Sequence, residues 1–111
     1  MKKNNKFKRT KELDLVVKQI VENFHPLKVI LFGSYAAGRQ GKDSDADLMV
    51  VMDTKEHSLR IAGKIAGAID HPIPLDILVR TPTQITERLN IGDPFIKDIL
   101  KKGITLYESD H

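Results

Sequence analysis

The chain has 111 residues, with 41% hydrophobic and 30% charged positions and no cysteine. This length and balance allow one water-soluble domain with a moderate core, and they exclude disulfides and thiolate chemistry. No apolar run approaches the roughly 18 residues of a membrane span, and the basic N-terminus lacks an apolar signal core, so the expectation is a cytoplasmic protein without a membrane partner.

The net charge of +3 is unevenly spread. Residues 1–11 hold six of the 18 basic residues and no acid, so the rest of the chain is net −3. That stretch reads as a basic, flexible arm, able to touch nucleic acid or an acidic partner. Residues 12–111 read as a single domain.

The arm leads into an amphipathic helix over 11–24, with Leu13, Val16, Val17, Ile20 and Phe24 on one face, stopped by His25-Pro26. Val29 to Phe32 is an apolar run that ends at Gly33-Ser34, and Leu48 to Met52 is a second one. Both have the length and turn boundaries of buried strands. Leu59, Ala62, Ile65, Ala66 and Ile69 mark a helix over 58–70, in which Gly63 and Gly67 are read as letting the helix lie close to the sheet. Pro74 to Arg80 reads as a third strand. Thr81-Pro82-Thr83-Gln84 has the form of a capping box and starts a helix to about Asn90. Asp93-Pro94 starts the next, with Phe95, Ile96, Ile99 and Leu100 on one side and Gly103 as its cap. Ile104 to Tyr107 is read as a last strand at an edge. The elements predict an α/β (α+β) fold, a small mixed sheet of three to four strands with helices packed on it.

Chemistry concentrates in residues 29–51. Asp45 and Asp47 stand where the second strand begins and point to one face, since strand side chains alternate. Two carboxylates roughly 7 Å apart repel unless a cation lies between them, and oxygen-only ligands suit Mg2+ or Mn2+. Gly33 has no Cβ and lets a ligand approach the backbone. Ser34 opens a short helix whose free N–H groups attract phosphate. If the first two strands are antiparallel neighbours, both features share one edge of the sheet. Asp76 is an ionisable residue in an apolar strand, disfavoured by propensity; a parallel pairing of strands two and three would bring it to Asp45 and Asp47, and the 58–70 helix is long enough for that crossover.

Other readings compete with these. Asp45 and Asp47 are also compatible with a plain polar turn. Asp43, Asp45 and Asp47 imitate a calcium loop, but Leu48 and Thr54 stand where Gly and Glu are required. Gly33 and Gly38 imitate a P-loop without its Lys-Ser or Lys-Thr. Arg39 and Lys42 are candidates to neutralise phosphate charge or are solvated loop charges. Tyr35 either stacks on a ligand or packs under the loop.

Gly33-Ser34, the Asp45-x-Asp47 pair and the isolated Asp76 resemble the polymerase-β-like nucleotidyltransferase superfamily, in particular its minimal nucleotidyltransferase domains, the MntA-like antitoxins paired with HEPN-family ribonuclease toxins. The likeness extends to Asp93-Pro94-Phe95 and the tail from Gly103 to Glu108. Many relatives carry Arg where this chain has Ala37. The resemblance implies the polymerase-β-like fold and a nucleotidyltransferase that moves AMP from ATP, with two Mg2+ ions, to a tyrosine hydroxyl of a HEPN toxin. Asp45, Asp47 and Asp76 would be catalytic and metal-binding, and Gly33 and Ser34, with Arg39 and Lys42, would bind the nucleotide. A non-catalytic antitoxin that acts by binding, and a small-molecule nucleotidyltransferase of the aminoglycoside-modifying kind, are the alternatives.

Overall fold

Local signals place the helices, and alternation along the strands then divides the molecule into two cores. The computed structural model describes residues 7–39 and 45–110. Helix α1, Lys11–Phe24, starts where the Thr10 hydroxyl accepts from Leu13 N–H, and ends at His25, whose φ of 50° breaks the helix. Strand β1, Lys28–Phe32, runs into a single turn, α2, Gly33–Ala36. Strand β2 is Ala46–Val51 and α3 is Ser58–Ala68, capped by His57 Nδ1, which accepts from Leu59 N–H. Strand β3, Leu75–Arg80, is followed by α4, Pro82–Asn90, α5, Pro94–Lys102, and strand β4, Ile104–Glu108. The capping box expected at Thr81 is present, with Thr81 and Gln84 bonding each other's backbone N–H. No described helix is long and apolar enough to cross a membrane.

The sheet order is β3-β2-β1-β4. β1 is antiparallel to both β2 and β4, while β2 and β3 are parallel and joined through α3. On one face, Val29, Leu31, Leu48, Val50 and Val79 pack with Leu13, Val16, Val17 and Ile20 of α1 and with Ile61 and Ile65 of α3. On the other, Ile30, Met49 and Val51 meet Ile96 and Ile99 of α5. The second core is the smaller. Asp47 shares the parity of Met49 and Val51, so its side chain belongs to the α5 face.

The seating of α5 is fixed at both ends. At its start, Asp93 Oδ1 accepts from Phe95 N–H at 2.9 Å, while Arg88 Nε of α4 donates to Asp93 Oδ2 at 2.8 Å. The Arg88 guanidinium and the helix amides hold the Asp93 carboxyl below the usual carboxylate range. At its end, Gly103 N–H bonds Ile99 O at 2.8 Å. Gly103 is extended, with φ −68°, rather than left-handed. It must be glycine because a Cβ there would strike Ile99 O and Ile30 Cγ2.

The glycines of α3 correct one expectation. Gly63 and Gly67 do not bring α3 close to the sheet; a Cβ at either would meet no atom within 4 Å. The helix approaches through Ile61 and Ile65, and the glycines lie on its outer side. The C-terminal half of the basic stretch is seated on the domain: Phe7 packs against the first core, and Arg9 donates to Leu106 O at 3.1 Å and pairs with Asp14. Lys2, Lys3 and Lys6 lie outside the described residues.

These contacts give the glycines opposite roles. Gly63→Ala is expected to raise stability by about 0.5–1 kcal/mol, through helix propensity and a less flexible unfolded chain. Gly103→Ala is expected to lower it by about 1–3 kcal/mol, as overpacking does. Denaturation midpoints measure both, and effects of the same sign at the two positions contradict this packing.

Candidate active site

The site grows from the end of β1. Phe32 is extended, and Gly33 turns the chain with φ +76° into α2. The positive φ requires glycine, and a Cβ there would displace the Asp47 carboxylate. The first amides of this short turn have no acceptor within it. The turn closes at Gly38, φ +72°, where Arg39 N–H reaches Ser34 O at 2.8 Å and Gly38 N–H reaches Tyr35 O at 3.1 Å, the pattern of a left-handed helix end. Arg39 is thereby set beside the turn.

The carboxylates arrive by strand register. Phe32 pairs with Asp47 across β1 and β2, and Asp47 pairs with Asp76 across β2 and β3. Phe32, Asp47 and Asp76 therefore form one rung, and rung partners share a face. Asp45 stands two residues before Asp47, just outside β2. Asp47 is half-buried, whereas Asp45 and Asp76 are exposed. Burial pushes the Asp47 carboxyl above its ordinary value, and the charges of Asp76 and then Asp45 push it further. The parallel β2–β3 pairing is what sets Asp76 beside Asp47.

The side-chain chemistry of these three acids, oxygen donors only, is of the kind a hard cation takes. Burial first, then the charges of Asp76 and Asp45, make Asp47 retain a proton more strongly. Among the described residues no group of three acids, histidines or cysteines is placed to hold one ion.

A cleft of about 760 Å³ opens beside the rung, within the usual range of ligand sites. Gly33, Ser34, Arg39 and Asp47 line it from the sheet side, and Phe95, Lys101 and Lys102 from α5. Phe95 meets Phe32 edge to face, with centroids 5.9 Å apart and planes at 84°, which holds α5 over the end of the sheet. Asp45 and Asp76 are not in the cleft wall. Lys42, the other candidate cation, lies outside the described residues, as do Asp43 and Ser44. Tyr35 packs against the first core, which decides between its two readings. The α5 wall was not foreseen. Lys101 and Lys102 are far from the motif in sequence, and only the return of the chain through β4 beside β1 brings them to it.

Comparison with known proteins agrees with this architecture. Residues 15–111 match the family model described as polymerase beta, nucleotidyltransferase. A Methanocaldococcus jannaschii protein that bears the name protein adenylyltransferase is 27% identical over 81 residues, which span 72% of this chain and 77% of that protein. A crystal structure of a toxin–antitoxin with AMP-PNP superposes with a TM-score of 0.59 at 24% identity, covering 91% of this chain and 76% of the other. A mutant of the MntA–HpeT toxin–antitoxin superposes at 0.57 and 22% identity, with the same coverage. At those identities the structural likeness is one of fold. The family match spans nearly all of the chain, which belongs to the polymerase beta nucleotidyltransferase family and is a nucleotidyltransferase built on that family's mixed sheet.

Proposed function

We propose that the protein moves AMP from ATP onto a hydroxyl of a partner protein, a tyrosine of a HEPN-type ribonuclease toxin, and so acts as its antitoxin. The observation that carries this reading is the Asp47–Asp76 rung, with Asp45 beside it, next to a glycine turn that can receive phosphate. The adenylyltransferase name of the archaeal relative and the toxin–antitoxin neighbours, one of them with AMP-PNP, support the choice of donor and acceptor.

In this reading the amides of Gly33 and Ser34 hold the β- and γ-phosphates, and Arg39 adds a charged donor beside them. Lys42 would assist from the adjoining loop. Asp45, Asp47 and Asp76 are the residues that would hold divalent ions, Mg2+ or Mn2+, which supply charge stabilisation to the attacking and leaving oxygens of phosphoryl chemistry. Asp76, at the open end of the rung, takes the proton of the acceptor hydroxyl. That oxygen bonds the α-phosphorus, the bond to the β-phosphate oxygen breaks, and pyrophosphate departs. Most of the rate comes from positioning and fixed charge rather than from a covalent enzyme intermediate. The reading includes a cytoplasmic location, where ATP is available.

Incubation of the co-expressed pair with labelled ATP and Mg2+ tests this. The wild type is expected to label the toxin, and Asp45→Asn/Asp47→Asn to lose about 100-fold or more of the rate. Asp76→Asn is expected to fall comparably. Equal labelling by these variants contradicts the assignment, and a toxin neutralised while its intact mass stays unmodified establishes the binding-only antitoxin instead.

The same charges carry a cost in stability. The folded chain keeps the Asp47 proton to higher pH than the unfolded chain. It therefore binds more protons just above the ordinary carboxylate value, and stability contributed by protonated Asp47 is lost as pH rises through its folded-state value. Without divalent ions at pH 7, Asp47→Asn is expected to melt higher, by about 0.5 kcal/mol of stability after solvent screening. The difference is expected to shrink on acidification. Thermal denaturation across this pH range measures both, and a lower midpoint for the variant at pH 7 contradicts the electrostatic account.

A further inference from the structure

We infer that Lys101 and Lys102, in the last turn of α5, form the second wall of the polyphosphate site, facing Gly33-Ser34 across the cleft. The inference rests on the nucleotide-transfer reading and extends it to residues outside the motif. Both lysines line the cleft that Gly33, Ser34, Arg39 and Asp47 line from the other side.

Their placement is enforced by backbone packing. The next residue, Gly103, sits so tightly against β1 that its Cβ position lies 3.1 Å from the Leu31 carbonyl oxygen. Leu31 is two residues before Gly33, so the end of α5 and the start of the glycine turn are tethered together. The backbone that carries the two exposed lysines cannot move away without unseating Ile99 and Gly103 from the sheet.

Charge accounting distinguishes this role from ordinary helix capping. A helix C-terminus carries roughly half a negative charge, which one lysine suffices to balance. Asp98, also in the cleft wall, is paired with Lys102, with Nζ 3.2 Å from Oδ1. Lys101 makes no ion pair among the described residues. The α5 wall therefore carries a net positive charge, and the opposite wall offers backbone amides, Arg39 and the Asp47 carboxylate. Counting all five charged side chains, three cations and two acids, the cleft stays net positive. Ala37, also in that wall, contributes only a methyl group. A phosphate chain is the ligand chemistry that satisfies cations on one side and amides on the other. Lys102 would exchange Asp98 for phosphate, whereas Lys101 needs no exchange.

The test measures equilibrium binding of ATP, AMP and inorganic pyrophosphate to the full chain with Mg2+, independent of turnover. For Lys101→Ala/Lys102→Ala, ATP and pyrophosphate affinity are expected to fall about tenfold or more, with AMP affinity changed less than twofold. Lys97→Ala, on the same helix but outside the cleft wall, is expected to bind all three as the wild type does. Lys101→Arg/Lys102→Arg is expected to retain most of the ATP affinity. Unchanged ATP binding by the double alanine variant overturns the inference alone, and so does an equal loss of ATP and AMP. A wild type that binds none of the three ligands overturns both the inference and the nucleotide-transfer reading.

Discussion

The approach of the Asp47 carboxylate to the backbone of Gly33 is the contact on which the site depends. A side chain at position 33 would occupy the place of that carboxylate, and no L side chain readily adopts φ +76° there. The contact joins the end of β1 to the start of β2, so the turn that can receive phosphate and an acid that can hold a cation are neighbours by construction. Strand pairing does the rest. With β1 and β2 antiparallel and β2 and β3 parallel, one rung carries Phe32, Asp47 and Asp76. The electrostatic price is visible in Asp47, whose charged form is disfavoured by burial and by both other acids.

The two faces of the sheet have different tasks. The face covered by α1 and α3 holds most of the buried aliphatic groups. The other face is covered by α5 over a smaller cluster, which leaves its end open as a cleft. The Asp93–Arg88 corner, the Phe32–Phe95 contact and the close seat of Gly103 set where α5 lies. None of these groups belongs to the Gly-Ser and Asp-x-Asp pattern, yet together they shape the wall opposite it. The helix that completes the second core also walls the cleft.

The residue pattern carried much of this. Apolar runs bounded by turn residues gave the strands, a capping box gave α4, and Asp76 betrayed itself as an acid where propensity favours none. Small residues were less legible. Gly63 and Gly67 have the spacing of a close-packing face but look outward, because Ile61 and Ile65 set the rotation of α3. Gly103 is the expected cap of α5, but with an extended backbone confined by Ile30 and Ile99. A glycine in the sequence does not say whether it is needed for its dihedral angles or for its missing Cβ, since that depends on atoms distant in the chain.

By itself the sequence determined the order of the elements, the turn at Gly33-Ser34 and the shared parity of Asp45 and Asp47, because these follow from local sterics and from the period of two along a strand. Tertiary structure alone decided that Asp76 stands beside Asp47, that Tyr35 packs inward, and that Lys101 and Lys102 face the motif. Those facts depend on strand register and on the seating of α5. Both are set by the packing of side chains far apart in sequence, which no local pattern encodes.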